Sequence, residues 1–169
     1  NGSKKPNKQN EDVALFNANG LGSSCAIELD NGKCFTAAFT PTPLTKAECE
    51  AQKDDLGIKK CYYEQDYWAG AVKQCGGVNN MPTGADLTKI AQAIYKGNPS
   101  ISSSGTTNNL TYESGTATSL GLPEPSFVLW SGEEYSEYDA YRRYFNPTYA
   151  GYRNYGRYKS GLQAICLGD

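Results

Sequence analysis

The sequence predicts an α+β fold: two helices packed on a small, mainly antiparallel sheet, stapled by disulfides. Three observations carry this. Two segments repeat apolar residues at helical spacing behind cap signals, short apolar or alternating runs lie between turn residues, and six cysteines are scattered without Cys-x2-Cys spacing. A chain of 169 residues, 38% of them apolar, fits one domain that buries roughly 70% of its unfolded surface.

Residues 1–12 are polar and are expected to be a frayed terminus or a cloning remnant, with structure beginning near Val13. Between Cys25 and Cys34, alternating side chains flank Asn31-Gly32, which supplies the positive φ of a tight hairpin turn and suggests a Cys25–Cys34 bridge. Thr45 and Glu48 have capping-box spacing and open a short helix running toward Leu56-Gly57. Cys49 and Cys61 flank that helix and are the second expected pair. Trp68, Val72 and Cys75 share the face of a next helix that ends at Gly76-Gly77. Thr83 caps another, with Asp86 in its first turn and Leu87, Ile90, Ala91 and Ile94 as its apolar stripe. Residues 97–121 are rich in Ser, Thr, Gly and Asn and are expected to be a long surface excursion. Phe127–Trp130 and Leu162–Cys166 are expected strands. Cys75–Cys166 is the third expected pair, joining a helix to the last strand.

Composition removes several functions. Histidine is absent, which excludes His-based triads and His-liganded zinc, and the formal charge of -2 argues against a nucleic-acid binder. No apolar run approaches the roughly 18 residues of a membrane span. Three disulfides place the chain outside the cytoplasm.

The most unusual segment lies between Tyr135 and Tyr158, which holds eight of the 13 tyrosines and all four arginines. Tyrosines three apart match neither helix nor strand periodicity, so most of them must face outward. In the strand part, Tyr141, Arg143 and Phe145 share one face, with Phe145 anchored in the core, while Arg142 and Tyr144 point the other way. Tyrosine offers large area at low entropic cost, arginine adds planar donors, and Ser, Gly and Asn add adaptable contacts. Together these make a recognition surface.

Two motifs now stand at readable distance. Tyr67-Trp68-Ala-Gly-Ala71-Val-Lys-Gln-Cys75 followed by Met81-Pro82-Thr83-Gly-Ala-Asp86-Leu87, and then Leu129-Trp130-Ser131-Gly132-Glu133, resemble signatures of C-type lectin-fold domains related to the formylglycine-generating enzyme. Met81 and Asp86 replace that family's usual Leu and Glu. The ending, a Tyr/Asn/Arg-rich stretch closing on Leu162-Gln-Ala-Ile-Cys166, is similar to variable proteins of diversity-generating retroelements, and more narrowly to gut-bacterial members carried on type IV pilin-like chains. The resemblance covers about residues 62–169, with a variable segment near 135–161. It makes residues 13–61 a pilin-like N-terminal part and puts any membrane attachment in a hydrophobic helix preceding this chain.

In such systems, as the resemblance implies, Asn codons become N-N-pyrimidine codons. These encode Tyr, Asp, Arg, Ser, Gly, Thr, Pro and Asn but never Glu, Gln, Lys, Trp or Met. Trp130, Glu133, Glu134, Glu137, Lys159 and Gln163 are then frame. The expected ligand-binding residues are Tyr138, Asp139, Arg142, Tyr144, Asn146 and Tyr149, continued by Tyr152, Arg153, Asn154, Tyr155, Arg157 and Tyr158. Catalysis is not expected, because the enzyme of this fold needs free active-site cysteines and every cysteine here is better used in a bridge. Neither a cofactor nor a metal is expected: the calcium-lectin motifs are absent, and Glu133 and Glu134 are read as solvated or capping groups. The expected function is an extracellular, cell-surface or pilus-associated adhesin or receptor domain for a protein or glycan ligand. The alternative is a structural minor pilin whose Tyr-rich face contacts other pilus subunits.

Overall fold

The computed structural model describes residues 34–168. Cys25, the Asn31-Gly32 turn of the expected hairpin and residues 1–12 lie outside the described residues. Strand β1 is Cys34–Phe35, followed by helices α1 (Lys46–Leu56), α2 (Tyr67–Cys75) and α3 (Gly84–Ile94), with a 3-10 turn at Val78–Asn80. Then come β2 (Gly105–Thr107), α4 (Thr116–Ser119), β3 (Phe127–Glu134), β4 (Asp139–Phe145), β5 (Ala150–Gly156) and β6 (Leu167–Gly168). The architecture is α+β, with a four-stranded antiparallel sheet in the order β2-β5-β4-β3 and a two-stranded ladder of β1 with β6.

The helices form where their caps allow. Thr45 accepts from the Glu48 N–H while Glu48 accepts from the Thr45 N–H, and Thr83 and Asp86 repeat this reciprocal arrangement at α3. Asp66 caps α2 by accepting from the Ala69 N–H at 2.8 Å. Helix α2 is apolar nearly all round and is buried on most sides, from Trp68 through Val72 to Cys75. It passes so close to the preceding loop that a Cβ on Gly70 would stand 1.8 Å from the Thr42 carbonyl oxygen, so only glycine fits there.

Two apolar clusters meet at the sheet. One gathers Leu87, Ile90 and Ile94 of α3 with Leu129, Phe145 and Ile165, and its cross-strand pair Phe127–Phe145 stacks with centroids 4.5 Å apart. The other packs α2 against Trp130, Ala140, Leu162 and the Cys49–Cys61 and Cys75–Cys166 bridges. Phe35 belongs to the first cluster and Phe39, Leu44 and Ile58 to the second, so residues on both sides of position 61 share both cores.

Two expected elements need correction. Residues 97–121 are no mere excursion: Gly105–Thr107 pairs with β5 as an edge strand, and Ile101, Leu110, Ala117 and Leu120 are buried. Their apolar residues are too widely spaced to show a period, yet each reaches the core from a separate turn. Leu162–Cys166 is not a continuous strand. Gln163 bridges Leu129 in parallel, Ala164 bridges Phe39 antiparallel, and the ladder proper begins at Leu167. A segment that changes partner at successive residues cannot build one ladder.

Glu124 holds the α4 region together, accepting from the Thr118 hydroxyl and from the Gly115 and Thr118 N–H groups. The Thr118 hydroxyl, followed by Tyr112, draws its pKa down to about 2. A carboxylate depressed on folding stabilises the fold above its unfolded pKa, and this is lost as pH falls through the folded value. Glu124→Gln is therefore expected to flatten the loss of stability between about pH 4.5 and 2, followed by urea denaturation across that range. Superimposable acid limbs for the two proteins would contradict the assignment.

Candidate functional site

Strand alternation builds the site. Arg142 and Arg153 stand directly opposite each other in the β4–β5 ladder, and Tyr144 stands opposite Gly151. A Cβ on Gly151 would meet the Tyr144 hydroxyl at 2.2 Å, so the missing side chain lets the Tyr144 ring lie across β5. Its hydroxyl thereby reaches the Thr106 hydroxyl of β2 at 2.5 Å. The Arg142 guanidinium lies over two rings, 4.8 Å from Tyr144 and 4.2 Å from Tyr155.

Arg142, Arg153, Tyr144 and Thr106 line a surface hollow of about 450 Å³. Arg142, Tyr144 and Arg153 meet Asn146 and Tyr149 from the β4–β5 turn, and Thr106 and Asn108 close the other side. Five of the seven lining residues are thus expected ligand-binding residues. Thr106 and Asn108 were not anticipated: their signal was only the polar composition of residues 97–121, which names no position.

The electrostatics are one-sided. Among the described residues, no carboxylate lines the hollow or forms an ion pair with Arg142 or Arg153. Arg142 donates through Nη1 to the Arg153 carbonyl at 3.4 Å, a long bond, and its buried Nε has no partner. Burial, with a smaller contribution from Arg153, pushes the Arg142 pKa down. For Tyr144, burial alone would raise the pKa, but the Thr106 hydrogen bond and the charges of Arg153 and Arg142 outweigh it and the net shift is downward.

The remaining expected residues divide. Tyr138 and Tyr158 join Tyr62 and Tyr63 in an edge-on aromatic cluster, with Tyr62 and Tyr138 centroids 4.8 Å apart. Asp139 and Asn154 face each other, with the Asn154 amide donating to the carboxylate at 2.6 Å. The Tyr62–Tyr63 contribution comes from a loop before α2 and carried no pattern in the sequence.

Arg157 and Tyr152 do not belong to the face. The Arg157 side chain is fully buried, paired with Asp66 at 2.8 Å and Glu134 at 3.0 Å. It also donates to the Ser136 and Lys60 carbonyls and lies 4.6 Å from the Trp68 ring. A guanidinium with every donor so placed has nothing left for a ligand. Tyr152 points toward α3, stacks on Tyr141 with centroids 5.2 Å apart, and bonds Ser131 Oγ and Glu133 through its hydroxyl. Burial pushes the phenol pKa strongly up. Nor is Glu134 a solvated group: besides Arg157, it accepts from the Lys59 and Lys60 N–H groups. Arg143, on the expected inner face with Phe145, is buried with Nη2 on the Thr88 hydroxyl at 2.9 Å and the Ser102 carbonyl at 3.1 Å, and burial draws its pKa down to about 10.

A larger hollow of about 610 Å³ lies beside Lys59, Ser104, Glu133, Glu134 and Tyr152. Its two carboxylates are already engaged by Tyr152, Arg157 and backbone donors, and no cluster of three metal-ligating side chains occurs among the described residues. The Arg142–Arg153 hollow is therefore the better candidate.

Fold and site together define an α+β domain, stapled by two disulfides among the described residues and bearing a basic aromatic hollow on its sheet. No protein-family model, curated protein or solved structure matches this chain. No described helix is long and apolar enough to cross a membrane. The two described disulfides are compatible with a secreted or extracellular protein.

Proposed function

We propose that this chain is a ligand-binding adhesin or receptor domain that displays its binding face on a C-type lectin fold, and that the face is diversified by a retroelement. The observation that carries the reading is convergence. Arg142, Tyr144, Asn146, Tyr149 and Arg153, from two strands and their connecting turn, meet in one hollow of about 450 Å³ and leave two cations without a counter-ion among the described residues. Two capped helices on a small antiparallel sheet support the lectin-fold part. The division of residues supports the diversified part. Among residue types reachable from N-N-pyrimidine codons, none of those lining the hollow is buried, while the buried Arg157 and Tyr152 hold the frame. Binding would use the tyrosines as rigid anchors and the arginines as directional donors on a scaffold pre-organised by disulfides.

Two measurements test it. Across sibling genes and the template copy, Arg142, Tyr144, Asn146, Tyr149 and Arg153 are expected to carry adenine-linked substitutions, while Tyr152 and Arg157 stay fixed. A pattern in which the hollow is constant refutes diversification. On glycan and protein arrays, the parent is expected to bind a ligand that a quadruple Arg142→Ala, Tyr144→Ala, Tyr149→Ala, Arg153→Ala variant loses. Equal binding by both proteins overturns the face.

A further inference from the structure

We infer that the Arg142–Arg153 hollow takes an acidic saccharide, whose carboxylate or sulfate seats between the two guanidiniums while the sugar ring packs on Tyr144 and Tyr149. The inference rests on the binding face proposed above and names the chemistry of its ligand. Like charges placed directly opposite in a β-ladder are destabilising, and among the described residues no acid pairs with either arginine to relieve it. Arg142 keeps an unpartnered buried Nε beside the hollow, and its charge is already partly desolvated. An anion entering there neutralises two cations at once through charge-assisted hydrogen bonds. The same two arginines, together with the Thr106 hydrogen bond, draw the Tyr144 pKa down against its burial, in keeping with a positive potential in the hollow.

Size and lining select among anions. A hollow of about 450 Å³ holds one or two sugar rings, whereas nucleic acid needs an extended basic track that a chain of net charge -2 does not supply. An acidic peptide would need an apolar subsite for its neighbouring side chains, and among the described residues no aliphatic side chain lines the hollow. The lining instead suits a polyol. Asn146 gives one N–H to Ser126 at 2.9 Å and keeps its carbonyl oxygen for a hydroxyl donor, and Asn108 adds a second amide. Tyr144 and Tyr149, edge-on with centroids 6.1 Å apart, offer a ring face and a ring edge to the C–H side of a pyranose.

The test is calorimetric titration of the protein with sialyl-lactose, a glucuronate-terminated disaccharide, 6-sulfo-lactose, lactose and a short Asp/Glu peptide. At least one acidic saccharide is expected to bind, with lactose and the peptide weaker by about tenfold or more. Arg142→Gln and Arg153→Gln are each expected to weaken that binding about tenfold, and Arg153→Gln, at an exposed side chain, to leave the melting temperature unchanged. The bound acid is also expected to raise the Tyr144 pKa toward the ordinary tyrosine range, read by NMR titration. The identity of the acid that binds separates carboxylate from sulfate recognition. Equal binding of lactose, preference for the peptide, or unchanged binding by both glutamine variants overturns the inference. So does silence from every acidic saccharide; if the array ligand is nonetheless lost in the quadruple variant, the binding face stands and only its ligand class falls. Retention of the array ligand by that variant removes the face itself.

Discussion

Arg157→Leu is expected to cost about 3–5 kcal/mol of stability, because it leaves two carboxylates in the interior without their cation. Asp66 and Glu134 both point at this guanidinium, at 2.8 and 3.0 Å, and Arg157 and Asp66 are almost fully removed from solvent. For a domain of this size, a loss of that order lowers the melting temperature by roughly 10–15 °C. The effect has a pH signature. Burial raises the Asp66 pKa, and Arg157 is the main group that opposes the rise. In the variant that opposition is gone, so Asp66 enters the fold most easily as the neutral acid. A carboxyl whose folded pKa lies above its unfolded value contributes stability below the unfolded pKa and loses it as pH rises through the folded one. The deficit of Arg157→Leu should therefore be smallest in acid and grow toward neutral pH, and adding Asp66→Asn should recover part of it. A deficit that is flat with pH, or that Asp66→Asn leaves unchanged, would show that the ion pair is not what holds this corner.

The second large effect is expected at the Cys75–Cys166 bridge. It spans 91 residues and joins the end of α2 to the segment entering β6, whereas Cys49–Cys61 spans 12. Loop closure in the unfolded chain makes the longer cross-link worth about 4–5 kcal/mol and the shorter about 3. Replacing Cys75 and Cys166 together by Ala should therefore destabilise more than replacing Cys49 and Cys61 together, as measured by guanidinium denaturation under non-reducing conditions. Both sulfurs of the long bridge are in the core among α2 residues, so their removal also leaves a small void. Equal losses for the two pairs would place the stabilisation in local packing rather than in the loop. Peptide mapping without reduction should recover Cys49 linked to Cys61 and Cys75 linked to Cys166.

Both predictions concern the frame, and the division between frame and face is where sequence reasoning reached its limit. Helices α1, α2 and α3 were legible because their signals are local: a capping-box spacing opens α1, a cap with an acid in the first turn opens α3, and an apolar stripe marks α2 and α3. The alternation in β4 was legible for the same reason, with Arg143 and Phe145 inward and Arg142 and Tyr144 outward. Cys49–Cys61 followed from the helix the two cysteines flank, and Cys75–Cys166 from being the pair left over.

Arg157 shows what local reasoning misses. It lies four residues after Arg153 in a segment of one composition, yet its partners Asp66 and the Lys60 carbonyl are 91 and 97 positions away. Nothing near it in the chain distinguishes a buried ion-paired arginine from an exposed one. Tyr152 was misplaced for a related reason, since its inward direction is set by the approach of Gly84 at the start of α3, where an added Cβ would stand 2.9 Å from the Tyr152 ring. Thr106 and Asn108 entered the hollow only because β2 pairs with the edge of β5.

By itself, the sequence determined helices α1 to α3, the alternation of β4, the short Cys49–Cys61 bridge and the confinement of every arginine to one segment, because each depends on residues close together or on composition. The tertiary structure decided which of those arginines and tyrosines meet solvent. That choice rests on long-range partners, and only packing brings an acid 91 positions away to Arg157 while leaving Arg142 and Arg153 without one among the described residues.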